Sequence, residues 1–351
     1  KTMIIFVFII AAVVLCGIKP AEKNQYYDAC SHRQTSMING IFTMLILVSH
    51  ASMYMDYGGV WIDDAYGEFR SYLGQFVVAP FLFYSGFGIM ESIAKKGNNY
   101  VKSIPQKRFF KVWYHFALAL IPFVVLYVMW SDNVSISNIL LSFTGYKNMG
   151  NSSWYMFDIF IIYAIIYLCF MIFKKSNTAG VIAVFVVTYI INIIMQKLDM
   201  SLIFVVSIFC LPAGMAFSLL RPHLRKAVTK NIGVYLIVLI ALAAATHFLQ
   251  GYKDDSPYIY NLYQITGILA ITMLCMKFKI ENKIIEFFSK HVFSIYILQR
   301  VPMIILDRYG LSSHHYLFII LSLIFTSAIA VLFDKLTAKT DELIYSKRKA
   351  K

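Results

Sequence analysis

Apolar residues in this chain fall in long runs, not in the strict alternation of a strand or the one-sided stripe of a surface helix. Stretches of about 17 or more mostly apolar residues mark membrane-spanning candidates. By that measure there are eleven, at approximately 3–18, 37–54, 72–91, 112–130, 154–173, 179–196, 201–220, 232–250, 258–276, 292–306 and 316–333. Short polar connections bound each run, and none is long enough for a second domain. Strands of a membrane barrel would alternate over about ten residues, which these runs do not do. The pattern predicts an all-α, polytopic membrane helical bundle with a ten-span core and one N-terminal span. Residues 1–36 read as an anchor span and linker, 37–334 as the membrane domain and 335–351 as a basic tail. Lys1 followed by an apolar run also fits a signal peptide. Leu15, however, is too bulky before Cys16 for lipoprotein cleavage. The missing initial Met suggests a trimmed chain, and the run is read as an anchor with its start outside.

Composition agrees: 59% of residues are hydrophobic and 14% charged, against about a quarter charged in soluble domains. The net charge of +14 raises nucleic acid or an anionic surface as partners, so its distribution matters. With the C-terminus cytoplasmic, one side collects 19–36, 92–111, 174–178, 221–231, 277–291 and the tail, which hold 25 of the 32 Lys and Arg residues. The other seven are Lys1, Arg70, Lys147, Lys197, Lys253, Arg300 and Arg308. Such a bias is the usual orientation signal, so the charge marks topology and no nucleic-acid partner is expected. Five cysteines without a CxxC imply neither a disulfide framework nor a zinc site, and no metal is expected.

Candidate chemistry centres on the second span. Asn39 and His50 lie eleven residues apart, which puts them on one helix face roughly 16 Å apart. An ionisable side chain at membrane depth is a functional-site hypothesis; a place at the headgroup level is the plain alternative. The outer loop that follows carries Asp56, Asp63, Asp64 and Glu68, which read as sugar-hydroxyl partners or as ordinary solvated carboxylates. The third span holds Phe81-Leu82-Phe83-Tyr84-Ser85-Gly86-Phe87, where small residues permit close helix approach. Next comes a basic loop ending in Arg108 and Lys111, three apart and neighbours on one face if the next helix has begun. Phosphate binding and anchoring to lipid headgroups both fit that pair. Asp158, His247, Gln264 and Arg300 reach a depth comparable with His50, and one cavity open to the outer side would explain all five together.

Taken in order, these pieces resemble the acyltransferase-3 family of integral membrane O-acyltransferases, over roughly residues 35–310. The counterparts are Asn39…His50, Phe81 to Phe87, Arg108-x-x-Lys111, Trp154-Tyr155-Met156 and Ser294-Ile295-Tyr296-Ile297-Leu298-Gln299. Three departures stand out. Asn39 occupies the usual place of an arginine, Lys111 replaces the second arginine of the basic pair, and Trp113-Tyr114-His115 stands where a proline is usual. The resemblance implies transfer of an acyl group, most often acetyl from acetyl-CoA, to a hydroxyl of a cell-surface or lipid-linked glycan at a bacterial cytoplasmic membrane. Membrane lipids, acyl-CoA and the glycan acceptor are then the expected partners. Asn39, Ser85, Arg108 and Lys111 become the expected donor-binding residues. His50, neutral near pH 7, becomes the base for the acceptor hydroxyl or the bearer of a transient acyl-imidazole. Depth alone suggests that Asp158 orients it or that Arg300 stabilises the oxyanion. A glycan-precursor transporter or flippase would need the same polar depth. A non-catalytic partner in glycan assembly is the reading that Asn39 favours.

Overall fold

The computed structural model describes residues 3–22, 25–59 and 61–346. Lys1, Lys23 and the basic residues among 347–351, part of the charge pattern above, lie outside them. Helices begin where the sequence offers a cap. Ser31, Ser176, Asn231, Ser256 and Asn282 each accept a backbone N–H from the first turn that follows, satisfying donors that helix geometry leaves bare.

The first part of the chain forms α1 (Ile4–Leu15), α2 (His32–Ala51), α3 (Trp61–Leu73), α4 (Ala79–Lys96), α5 (Asn98–Ile104), α6 (Lys111–Trp130), α7 (Ile136–Ser142) and α8 (Trp154–Ile172). The rest forms α9 (Asn177–Lys197), α10 (Cys210–Val228), α11 (Ile232–Gly251), α12 (Pro257–Lys277), α13 (Lys283–Lys290), α14 (Val292–Leu298), α15 (Arg300–Arg308) and α16 (His315–Ser346). A two-stranded antiparallel pair, β1 (Ile18–Pro20) with β2 (Phe278–Ile280), is the sheet among the described residues. Eight helical segments there are long and apolar enough to cross a membrane, and the fold is a polytopic helical bundle.

Those eight match eight of the expected runs. The other three differ, each for a local reason. The first, α1, has twelve residues, about 18 Å of helix. The run 201–220 begins its helix only at Cys210. Its irregular start is held by side chains: Asn192 Nδ2 and Asn261 Nδ2 donate to the Val205 carbonyl at 3.1 and 3.0 Å, and Asn261 Oδ1 accepts from the Phe209 N–H at 3.0 Å. Non-helical backbone survives at membrane depth where protein satisfies its polar groups. The run 292–306 breaks at Gln299. Pro302 has no N–H for the Leu298 carbonyl four residues earlier, and its ring crowds that carbonyl.

The basic connections gather at one end of the bundle. There β1 from the first meets β2 from the last, Arg221 pairs with Asp28 at 2.5 Å, Lys111 pairs with Asp341 at 2.6 Å, and His291 pairs with Asp334. The last helix, α16, runs unbroken from the bundle past residue 335 and supplies both of these aspartates. Between the ends, α4 and α10 cross with their backbones in contact. A Cβ on Gly86 would stand 1.9 Å from the Leu211 carbonyl oxygen, and one on Gly214 1.9 Å from that of Phe83. No side chain larger than glycine's hydrogen fits either position.

Candidate functional site

At the end opposite the basic connections, α2, α3, the segment between α3 and α4, the turn before α8, α14 and α15 surround a cavity of about 480 Å³. His50, in the last turn of α2, faces it, with Arg70, Asn151, Ser152, Trp154, Tyr296 and Arg300 around the wall. A volume of this size is typical of small-molecule sites. The imidazole is half-buried. Its Nε2 lies 3.4 Å from Ser152 Oγ, while Nδ1 is buried and has no partner. Ser152 is itself pinned, its carbonyl accepting from Tyr296 OH at 3.3 Å. Arg300 Nε donates to Tyr54 OH at 3.2 Å, and Arg70 donates to Ser49 Oγ at 3.4 Å and Tyr57 OH at 3.1 Å.

Asp158 sits one turn further along α8, fully buried, and neither carboxylate oxygen has a partner. It does not line the cavity or bond to His50; Ser152 makes that contact. It does lie within electrostatic reach of Tyr155 and Tyr296, whose rings pack 5.2 Å apart. The shared depth read from the sequence therefore resolves into different places. His50 and Arg300 meet at the cavity. Gln264 instead donates to Ser207 Oγ at 2.9 Å, bracing the irregular segment before α10. His247 is exposed and stacks on Tyr72. The acidic loop residues do not line the cavity either; Asp63 is buried and accepts the Met3 N–H at 3.3 Å.

The other expected residues lie toward the basic end. Ser85 Oγ is 3.5 Å from Tyr163 OH, and Arg108 Nε donates to Tyr100 OH at 3.1 Å while also reaching Tyr163. Ser85 and Arg108 thus share one polar chain through Tyr163. Lys111 does not join it. Residues Pro105–Phe110 form a π turn, wider than an α turn, so three-residue spacing no longer places the two cations side by side. Lys111 faces α16 instead and shares Asp341 with Tyr114 and His115. Asn39 is half-buried on the same unbroken helix as His50, and its Oδ1 is buried without a partner.

Three contributors escaped the sequence reading: Ser152 at the imidazole, Arg70 in the cavity wall and Tyr163 between Ser85 and Arg108. Arg70 did leave a signal, being one of the seven basic residues on the side that the charge bias disfavours. Ser152 and Tyr163 left none that separates them from the other hydroxyls of the chain.

No curated protein and no solved structure matches this sequence. The acyltransferase domain of the acyltransferase-3 family matches residues 37–335, from the start of the His50 helix into α16. That match takes in both the cavity and the Ser85–Tyr163–Arg108 chain, and the protein belongs to the acyltransferase-3 family of membrane acyltransferases.

Proposed function

We propose that this acyltransferase takes its acyl group, acetyl by expectation, from acyl-CoA at the basic, cytoplasmic end. The acceptor is a hydroxyl of a cell-surface or lipid-linked saccharide in the cavity at the other end. The observation that carries the reading is His50 itself: a half-buried imidazole braced by Ser152, facing a roomy polar cavity beside the Arg300 guanidinium. The imidazole takes the proton of the acceptor hydroxyl as its oxygen attacks the thioester carbonyl. Arg300 stabilises the oxyanion of the tetrahedral intermediate. When the C–S bond breaks, the thiolate leaves and takes the proton back from the imidazolium, so His50 ends as it began. At the basic end Arg108 meets the nucleotide phosphates, with Ser85 beside it. The unpartnered Asn39 Oδ1 is an acceptor for an amide N–H of the pantetheine arm. The span of roughly 16 Å from Asn39 to His50 is comparable with that arm's reach.

The test is mass spectrometry of surface glycans from cells carrying the wild-type gene, His50→Ala, His50→Gln or no gene. It is paired with acyl-CoA consumption by the purified proteins. The expected result is an acyl mass increment present only with wild type and lost in both variants at equal membrane expression. Full transfer by either variant would remove His50 from the chemistry. Saccharide binding by the wild type with no acyl-CoA consumption would instead point to transport.

A further inference from the structure

The charge of the cavity bears on which saccharide it accepts. Two guanidiniums, Arg70 and Arg300, line it, and no carboxylate is among its lining residues. Both arginines are half-buried, and neither forms an ion pair among the described residues. The two hydrogen bonds of Arg70 go to neutral hydroxyls, Ser49 Oγ and Tyr57 OH. A guanidinium has five N–H donors, so most of those on Arg70 remain available. Asn151 adds to the excess of donors: it is fully buried, its Oδ1 accepts the Met149 N–H at 3.2 Å, and its Nδ2 has no partner. A wall with surplus cationic and amide donors is matched by an acceptor-rich, negatively charged ligand. A half-buried cation without a counter-charge is costly to keep unless something pairs with it.

We propose that the acceptor saccharide carries an acid group, carboxylate or phosphate, which seats on Arg70 and takes a further hydrogen bond from Asn151. The proposal rests on reading this cavity as the acceptor site. Geometry divides the two arginines. Arg300 lies one turn beyond Tyr296, whose ring packs 6.5 Å from the His50 imidazole, whereas Arg70 is held on the α3 side by Ser49 and Tyr57, so the proposal assigns Arg300 to the oxyanion and Arg70 to a charge remote from the reacting hydroxyl. Trp154, Tyr57 and Tyr296 supply flat apolar surface for the sugar ring between them. The guanidinium's fork matches both carboxylate and phosphate geometry.

The test uses the purified full chain in detergent, without acyl-CoA, titrated calorimetrically with glucose, glucuronate and glucose 6-phosphate. The acids are expected to bind about tenfold tighter than glucose at low ionic strength, and the difference should shrink with added salt. Arg70→Gln should bring the acids to the affinity of glucose, and Arg70→Lys should keep part of the preference. Thermal unfolding of each variant checks that it is folded. Whichever acid binds tighter identifies the group. Equal binding of glucose and its acids, no acid binding at millimolar concentration, or a preference that survives Arg70→Gln would each overturn the proposal. So would loss of acyl-CoA binding in Arg70→Gln, because it would place the donor's phosphates at this end. Acid preference without any acyl-CoA turnover leaves the anion site standing and sinks the transfer reading; turnover onto neutral sugars without acid preference does the reverse.

Discussion

One methyl group at position 86 tests the packing on which the rest of the bundle depends. A Cβ there would lie 1.9 Å from the Leu211 carbonyl oxygen, and real Cβ contacts are not found below 3.0 Å. The partner atom is backbone on α10, so no side-chain rotation relieves the clash; α4 and α10 must part by roughly 1.1 Å. Overpacking of that kind costs about 1–3 kcal/mol, or an unfolding temperature lower by about 1–4 °C at the per-residue unfolding entropy usual for a chain of this size. Ser85, the next residue, has its Oγ 3.5 Å from Tyr163 OH, the outer limit of a hydrogen bond, so any part of that displacement that carries α4 away from α8 breaks it. Gly88 is the internal control: it lies on the same helix, and a Cβ there meets nothing within 4 Å. Gly88→Ala should leave stability unchanged or raise it by about 0.5–1 kcal/mol, because alanine favours a helix over glycine. The assay is thermal unfolding of detergent-solubilised protein followed by size-exclusion chromatography. Gly214→Ala, which meets the Phe83 carbonyl in the same crossing, should behave as Gly86→Ala does. Equal shifts for Gly86→Ala and Gly88→Ala would refute the argument.

If acyl-CoA is the donor and docks as proposed, Arg108→Gln should raise its KM about tenfold and change kcat less than twofold, since phosphates held at Arg108 would be remote from the thioester; steady-state kinetics with a wild-type KM would move the donor elsewhere. Arg108→Lys should not restore the affinity, because an ammonium lacks the bidentate fork. A pH effect is expected at the strand junction, where Lys19 and then Lys279 pull the Glu281 carboxyl down from 4.5 to about 2. A group depressed on folding stabilises at pH values above its unfolded pKa and loses that contribution as pH falls through the folded one. The unfolding temperatures of wild type and Glu281→Gln should therefore differ by a constant amount above about pH 5 and converge between 4.5 and about 2; a gap that widens on acidification would refute the assignment.

Much of the fold was legible because the bilayer makes a coarse demand, long apolar runs, that sequence meets openly. Eight runs became spans for that reason. The misreadings arose where polar side chains replace the helix's own hydrogen bonds. Residues 201–209 look apolar enough for a helix, yet Asn192, Asn261 and Gln264, distant in sequence, carry the backbone and the Ser207 hydroxyl there. The break at Gln299 was in principle visible, since Pro302 announces a missing donor four residues on. Depth likewise proved a weaker guide than direction. Span position puts His50, Arg300, His247 and Gln264 at one level, but only rotation about each helix axis decides which side chain faces the cavity, and that rotation is set by packing. The spacing of Arg108 and Lys111 misled for a related reason: the count assumes an α turn, and the chain makes a π turn.

The seven basic residues on the disfavoured side bear on how the rest of the site is to be read. A positive charge there works against the orientation bias, so each one kept needs a local reason. Lys253 has a structural one: it is buried and donates to the backbone carbonyls of Ser71 and Tyr72, fixing the end of α3. Arg308 lies over the Trp130 ring at 5.9 Å. Among the described residues Arg70 and Arg300 have neutral hydroxyls, a thioether and, for Arg300, the Tyr54 ring at 5.5 Å as partners, none of them a counter-charge, and both face the same cavity. These contacts place the pair without neutralising it. A developing oxyanion at one and an acid group of the acceptor at the other would account for both, and the reaction supplies the first only while His50 holds a proton. On that reading the proton taken by His50 and the oxyanion formed beside Arg300 cancel, so the net charge of the cavity is unchanged through transfer and the acid group at Arg70 is its lasting counter-charge.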